Sequence, residues 1–383
     1  MDFSFTQEQN LFQETIKRFG AKELAPYYQQ REQEQIIDKA LCLQMGALGM
    51  IGPELPEKFG GLGLDSVTAG IAVEEVARAD FNVSYIQLLG SLLGTLIAQH
   101  AAEEVAGRIV DGICAGRTIV ALGLTEPGGG SDAAHLNLRA TKKGSDYILH
   151  GEKTSISLAD QATDIVVFAR TGELNGAGGI SAFLVPMDSV GISASRFDDL
   201  GSAAVGRGSV FFDEVVVSEE ALIGAENQGF RVVMRGFDYS RALIGLQCVA
   251  CAEASIAESW EYVKEREAFG GPIGRFQGVS EPLAEAETLL YAAKLLCYKT
   301  LWLRDQGEPH TSEAAMCKWW APRVAFDAIH TALLLHGHYG YSRELPHQQR
   351  LRDVLGLQIG DGTQQVQKMI IAREKIGRIA VPY

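Results

Sequence analysis

Basic residues are the scarce charge in this 383-residue chain: 34 Lys and Arg stand against 48 Asp and Glu, a formal net charge of −14. A general nucleic-acid surface needs an excess of cations on its contacting face, so that class of function is disfavoured; an anionic ligand would need a locally basic site. Long apolar runs are missing too. No stretch approaches the eighteen or more uncharged apolar residues of a membrane span. The opening residues, MDFSFTQEQN, carry acid and glutamine where a secretory signal would carry basic residues and an apolar core. These absences lead to the expectation of a cytoplasmic protein with no membrane insertion. Paired cysteine spacing is lacking as well: the six cysteines, at 42, 114, 248, 251, 297 and 317, form no disulfide framework, and reduced, buried thiols are expected. Cys248 and Cys251 make a CxxC, but within the small-residue helical stretch LIGLQCVACAEASIA, with no second pair or nearby His to complete a zinc site. No metal is expected. No internal repeat appears, which disfavours a solenoid.

What is present is ordinary globular material, 46% hydrophobic and 21% charged, long enough for two or three domains with a sizeable interior. Its texture changes twice. Up to about residue 112 the patterns are helical: Phe12, Ile16 and Phe19 share a stripe, and VTAGIAVEEVARA and YIQLLGSLLGTLIAQH continue the theme, with the breaker-rich loop GPELPEKFGGLGLDS before them. From about 118, short runs of β-formers follow one another, among them TIVALGL, DIVVFART, SAFLVPM and GSVFFDEVVV. KKGSDY reads as a hairpin turn between Leu138 and Ala140 on one strand and Tyr147 and Leu149 on the next. Near 230 helical texture returns, with stripes such as Ala284, Leu289, Leu290, Ala293 and Leu296 that fit a helical bundle. The expected class is α+β, with an N-terminal α-helical domain over 1–115, a middle β-domain over 116–227 and a C-terminal helical bundle over 228–383.

Two stretches carry chemistry. In GLTEPGGGSD three consecutive glycines let backbone approach a flat or phosphorylated ligand, with Thr125 and Ser131 offering hydroxyls. The strand–GxGxxG–helix setting and the P-loop lysine are both absent, so neither nucleotide fold is supported, and a plain structural turn remains an alternative. In GDGTQQ, Asp361 stands just before a helical run. Asp361 with Gln364 three residues on has the form of a capping box, and from these residues alone the carboxylate reads first as a helix cap.

Taken together, TEPGGGSD, HGEKTSIS, GFDYSRALIG, REAFGGPIGRFQ, HGHYGYSRELP and GDGTQQVQKMIIAREKIG, in that order along nearly the whole chain, resemble the acyl-CoA dehydrogenase family of FAD flavoproteins. The resemblance implies the three-domain plan above, with a C-terminal four-helix bundle. It implies contacts of Leu124 and Thr125 with the isoalloxazine edge, and of Gly130 and Ser131 with the FAD pyrophosphate and CoA. Ser155 and Ser157 stand where the family has tryptophan against the flavin and threonine near its N5 edge. Phe237, Asp238, Ser240 and Arg241 match the helix along the CoA channel. Arg266, Phe269 and Gln277 match positions that reach a neighbouring subunit's FAD, in an expected homotetramer. Gly337 and His338 replace paired glycines on the adenine side, and Leu334 replaces a common glutamine.

Asp361 falls where most of the family has a glutamate base, which takes the proton α to the thioester while the β-hydrogen leaves as hydride to the flavin. Its own N–H, with a ribityl hydroxyl, polarises the thioester carbonyl in the manner of an oxyanion hole. Gly362, Thr363 and Gln365 are then placed at the turn beside flavin or CoA. Aspartate is one methylene shorter than glutamate, and Gly360 replaces a common tyrosine. A shorter base with bulk removed at 155 and 360 resembles the cyclohexanecarboxyl-CoA dehydrogenase branch. Val83, Ser84, Gln87 and Leu88 are expected at the far end of the acyl pocket. The electron acceptor implied is an electron-transferring flavoprotein. Alternatives on the same fold are a short- or branched-chain acyl-CoA dehydrogenase, a nitroalkane-oxidase-like flavoprotein that also uses an aspartate base, and a non-catalytic member in which Asp361 is only the cap.

Overall fold

The computed structural model describes residues 4–172 and 176–381; positions 1–3, 173–175 and 382–383 fall outside the described residues. The first helix, α1 (Gln7–Phe19), starts on a reciprocal cap: Thr6 Oγ1 accepts from the Gln9 N–H at 3.2 Å and Gln9 Oε1 from the Thr6 N–H at 3.0 Å. Such a cap stabilises a helix start by about 1 kcal/mol. Of its stripe, Ile16 is fully buried, while Phe12 and Phe19 pack at the edge of the core. Then come α2 (Tyr28–Glu34), α3 (Lys39–Ala47), α4 (Ser66–Ala79), α5 (Ser84–His100) and α6 (Glu103–Cys114). Helices α4 and α5 are apolar or small nearly all round, and they are buried nearly all round, the central pair of this domain.

The β-domain contains β1 (Val120–Gly123), β2 (Arg139–Lys143), β3 (Asp146–Ser157), β4 (Asp164–Arg170), β5 (Ile180–Pro186), β6 (Ile192–Arg196) and β7 (Arg207–Ser218). They form one sheet in the order β1-β4-β2-β3-β7-β6, with β5 paired antiparallel to β4. The expected hairpin is there: β2 and β3 pair Ala140 with Leu149 and Lys142 with Tyr147 around Gly144, whose φ of +68° suits glycine. One face packs into its own core, where the Tyr147 and Phe183 rings lie 5.0 Å apart.

The last part holds α7 (Gly229–Glu265), a small hairpin of β8 (Glu267–Ala268) and β9 (Gly271–Pro272), then α8 (Gln277–Asp305), α9 (Thr311–Leu335), α10 (His338–Tyr341), α11 (His347–Gly356) and α12 (Gln364–Ile376). The long helices α7, α8, α9 and α12 pack as a bundle, with α9 touching the other three. In α8 the buried stripe is Leu283, Ala286, Leu290, Ala293 and Cys297; Ala284 and Leu289, expected on it, face solvent. Helix α7 contains a window long and apolar enough to cross a membrane, mean hydropathy 1.2, and 78% of that window is buried inside the fold. Cys248 and Cys251 are buried in it as free thiols, and no metal-holding cluster occurs among the described residues.

Asp353 on α11 joins the three parts. Its Oδ2 accepts from the Tyr28 hydroxyl at 2.6 Å and from Asn82 Nδ2 at 3.0 Å, and its Oδ1 from the Ser202 N–H at 2.5 Å. Burial pushes its carboxyl up to about 6, against the pull of those donors.

Candidate active site

A cavity of about 830 Å³ opens where α5, the sheet, α7 and the α11–α12 turn converge. Its sheet-side wall is held by a buried ion pair. Lys153 on β3, with no solvent exposure, donates to Glu126 Oε1 at 2.7 Å and to the Leu124 carbonyl oxygen at 3.1 Å. Glu126 also accepts from the N–H groups of Asn137 at 2.6 Å and Leu138 at 2.9 Å, and the Thr154 N–H donates to the Thr125 carbonyl oxygen at 2.9 Å. TEPGGGSD is therefore fastened to β3 on both sides, and burial lowers the Lys153 ammonium to about 8. Register shifts in β3 between Lys153 and Ile156, where Ser155 takes a left-handed φ of +58°. That bulge turns Ser155 and Ser157 into the cavity wall.

Opposite, Asp361 sits in the turn between α11 and α12. It does not cap α12. Thr363 does, its Oγ1 accepting from the Val366 N–H at 3.4 Å, while Gln364 turns its amide to Gln358 Oε1 at 3.1 Å instead of completing a box. The helix begins one residue after Thr363, so Asp361 lies a step too early to reach the orphan N–H groups. It adopts φ +55°, and Gly362 follows at φ +94°. The turn is held from beneath: Gln367 Nε2 donates to the Asp361 and Gly362 carbonyl oxygens at 3.1 and 3.3 Å, and Lys318 Nζ to those of Leu357 and Gly362 at 2.7 and 3.2 Å. A Cβ on Gly362 would come within 2.6 Å of Gln367 Nε2. With the backbone so fixed, the Asp361 carboxylate lines the cavity and has no hydrogen-bond partner among the described residues, and its own N–H meets no acceptor there.

Two cations stand near it. Burial lowers the Lys318 ammonium to about 8, with Asp361 acting to raise it. Arg241 on α7 is buried and lines the cavity; its Nη1 donates to Asp238 Oδ1 at 2.8 Å, and its Nε has no partner. Burial lowers its proton affinity, opposed by Asp238 and then Asp361. The local positive field that an anionic ligand needs in so acidic a chain is thus present.

Of the residues singled out from sequence, Leu124, Thr125, Gly130, Ser131, Ser155, Ser157, Phe237, Arg241, Asp361, Gly362 and Thr363 line this one cavity. Asp238 stands behind Arg241, and Ser240 is buried within α7. Arg266, Phe269 and Gln277 lie at the surface around the β8–β9 hairpin, Gly337 and His338 at the start of α10, and Gln365 on the outer face of α12. Leu88 lines the cavity, but Val83, Ser84 and Gln87 do not. Ser84 hydroxyl donates to the Phe81 carbonyl oxygen and accepts from Gln247, and Gln87 donates to the carbonyls of Met50 and Ala72, so those side chains serve the core. Sequence reasoning passed over Tyr85, Arg207 and Lys318. Only Lys318 carried a readable signal, as a lone cation in the apolar helix stretch AAMCKWWA.

The wall fits a flat, phosphate-bearing cofactor. A side chain at Gly130, which lines the cavity, would meet nothing nearer than Thr125 Cγ2 at 4.0 Å, so open space borders its backbone where a pyrophosphate could approach.

Models of the N-terminal, middle and C-terminal domains of acyl-CoA dehydrogenases match residues 6–117, 121–215 and 227–376. The short-chain-specific acyl-CoA dehydrogenase of Clostridium acetobutylicum is 32% identical over 97% of this chain and 99% of its own. A subunit of the caffeyl-CoA reductase–Etf complex of Acetobacterium woodii is 32% identical over 96% and 98%. The solved structure of butyryl-CoA dehydrogenase from Megasphaera elsdenii superposes with a TM-score of 0.95 at 34% identity, covering 98% of this chain and 100% of that one. Domain order, cavity and sequence likeness agree over the length of the chain, which belongs to the acyl-CoA dehydrogenase family of FAD enzymes.

Proposed function

We propose that this enzyme dehydrogenates a bulky alicyclic acyl-CoA, such as cyclohexanecarboxyl-CoA, with Asp361 removing the α-proton. The observation that carries the reading is the free Asp361 carboxylate on a braced turn, next to a Gly360 whose missing side chain leaves the cavity open: a Cβ there would meet nothing closer than the Gly356 carbonyl oxygen at 3.6 Å. Bound FAD supplies the acceptor for the β-hydrogen. The chain's own part is to hold, polarise and deprotonate. Leu124, Thr125, Ser155 and Ser157 form the cofactor wall, with Thr363 at the turn and Gly130 and Ser131 toward the phosphates. Phe237 and Arg241 line the path of the CoA, and Asp238 orients Arg241. The free N–H of Asp361 is the donor for the thioester carbonyl, stabilising negative charge as the α-proton leaves. Substrate binding expels water from the turn, so that the α-proton passes to Asp361 without competing solvent.

Arg266, Phe269 and Gln277 are proposed to meet cofactor bound mainly by a second copy in a homotetramer, with Gly337 and His338 on the adenine side and Gln365 beside the turn that carries Asp361. Phe269, 89% exposed at the tip of its hairpin, supports this. An electron-transferring flavoprotein is the proposed oxidant, supported by the Etf-complex relative. A cytoplasmic location completes the proposal.

Anaerobic mixing of the holoenzyme with cyclohexanecarboxyl-CoA, butyryl-CoA and nitroethane tests the reading. Flavin bleaching by the cyclic thioester is expected, with the highest kcat/KM for it once an oxidised electron acceptor is added. A higher kcat/KM for butyryl-CoA sinks the alicyclic assignment, and bleaching by nitroethane alone sinks the CoA-thioester assignment.

A further inference from the structure

Two polar groups that the reaction does not use line the cavity, one on α5 and one on the sheet. Tyr85 on α5 is 4% exposed, lines the cavity, and its hydroxyl has no hydrogen-bond partner among the described residues. A buried, unpaired hydroxyl costs about 1–3 kcal/mol, so it marks either a fault or a place for a partner. Arg207, at the start of β7, lies directly across the strand pair from Ser157 and lines the same cavity. Among the described residues its Nε is buried without a hydrogen bond, and its one ionic neighbour, Asp199 Oδ2, stands 3.5 Å away. The fold makes room for this arginine: at Gly356 on α11 a Cβ would come within 3.0 Å of Arg207 Nη2. Arg207 and Asp361 are the charged groups whose fields reach the Tyr85 hydroxyl most strongly, so all three belong to one space.

The surrounding wall is mostly apolar, with Leu88, Leu89 and Met234 among its residues. Such a wall buries hydrocarbon and leaves the two donors unsatisfied unless the acyl group brings an acceptor. The charge of Arg207 is already offset by Asp199, and Asp361 adds a second carboxylate to the same cavity. A further carboxylate on the substrate would meet two like charges, whereas a neutral oxygen meets two free donors.

Building on the dehydrogenase reading, we infer that Tyr85 and Arg207 form a subsite for a neutral oxygen, a hydroxyl or ring carbonyl, on the acyl group. The substrate class is then an oxygenated alicyclic acyl-CoA. Tyr85 and Arg207 set specificity and take no part in moving the proton or hydride.

The test compares 4-hydroxycyclohexanecarboxyl-CoA, cyclohexanecarboxyl-CoA, adipyl-CoA and butyryl-CoA with the FAD-loaded enzyme and with Tyr85→Phe and Arg207→Met, each checked for melting temperature and FAD content. The native enzyme is expected to favour the hydroxylated ring over the plain ring by roughly tenfold or more in kcat/KM, the worth of one good hydrogen bond. In both variants that ratio is expected to fall to within about twofold of unity. A native ratio near one, a preference for adipyl-CoA, or a preference that survives both substitutions overturns the subsite. Turnover of butyryl-CoA without either ring overturns it and leaves the dehydrogenase standing. Bleaching by none of the four overturns both. If the variants lose FAD, the native ratio and equilibrium binding of the two ring thioesters to Gly356→Ala, whose added methyl presses directly on the Arg207 guanidinium, decide in the same way.

Discussion

Lys318 Nζ donates to the Gly362 carbonyl oxygen at 3.2 Å from a side chain only 1% exposed, which places a lysine cation directly beneath the turn that carries Asp361. Few buried lysines keep their charge without a carboxylate in contact. Here two carbonyl dipoles, those of Leu357 and Gly362, and the nearby field of Asp361 take that role. Packing and electrostatics meet at this point: the group that fixes the turn's backbone is a buried cation whose charge the field of Asp361 favours.

Stability should show this lysine directly. Folded, it gives up its proton at about 8; in the unfolded chain it does so at the ordinary 10.5 of a lysine. Between those pH values the unfolded state binds more protons, so raising the pH from 8 to 10.5 stabilises the fold, by up to about 3 kcal/mol. Lys318→Met removes that slope. Urea unfolding of both proteins at pH 7.5 and pH 10 should show the native protein gaining on the variant as pH rises. Parallel pH profiles would mean that Lys318 is not a buried cation. The variant should also lose roughly tenfold or more in kcat with little change in KM, because a loosened turn misplaces Asp361, the proposed base, without touching CoA.

Asp361 and Thr363 divide two jobs that a sequence reading assigns to one residue. Thr363→Ala removes the cap of α12 and should cost about 1 kcal/mol of stability. Asp361→Asn keeps a residue tolerant of φ near +55° and should leave stability within about 0.5 kcal/mol. Its rate of flavin reduction by acyl-CoA should fall by several orders of magnitude. Calorimetry and stopped-flow reduction separate the two, and equal activity in Asp361→Asn would remove the aspartate from the chemistry.

The difference between legible and illegible residues is one of range. The helical, β, helical succession followed from local periodicity, and the β2–β3 hairpin from KKGSDY. Thr363 was missed as cap because Ser, Thr and Asp compete for that role within two residues, and the winner depends on where Lys318 and Gln367 pull the turn. The cavity face of α5 was misjudged in the same way. Ser84 and Gln87 are polar, but hydrogen bonds to core carbonyls and to Gln247 take them inward, which leaves Tyr85 and Leu88 facing the space. The fit of Arg207 against Gly356 joins a strand to a helix far along the chain, and no local pattern records it.

Asp353 predicts an acid-side signature. Its folded carboxyl, raised by burial to about 6 from 3.8, is protonated in the fold over a range where the unfolded chain has already ionised. Its contribution to stability is therefore complete below about pH 3.8 and is lost as pH rises through 6, about 3 kcal/mol in all. Asp353→Asn cannot titrate. Relative to that variant, the native protein should lose stability from pH 4 to pH 7. The variant itself should be destabilised at every pH, because its amide can face the Ser202 N–H only with one of its atoms mismatched. Chemical denaturation across that range checks both statements, and a flat difference would show Asp353 ionised throughout.

Gly360 offers the sharpest control of substrate shape. It has an ordinary negative φ and open space above its Cα, with the nearest atom to an added Cβ being the Gly356 carbonyl oxygen at 3.6 Å, so a side chain there strains nothing in the turn. A tyrosine at this position projects from the residue next to the base, into the cavity that Asp361 lines. Gly360→Tyr should therefore fold with native stability and keep its FAD. It should lose most of its kcat/KM for cyclohexanecarboxyl-CoA, by roughly a hundredfold, while butyryl-CoA loses less than about tenfold, since a slim chain passes where a ring collides. The ratio of the two rate constants in variant and native enzyme is the measurement. An unchanged ratio would place the acyl group elsewhere in the cavity and take the width of this wall out of the argument for a ring.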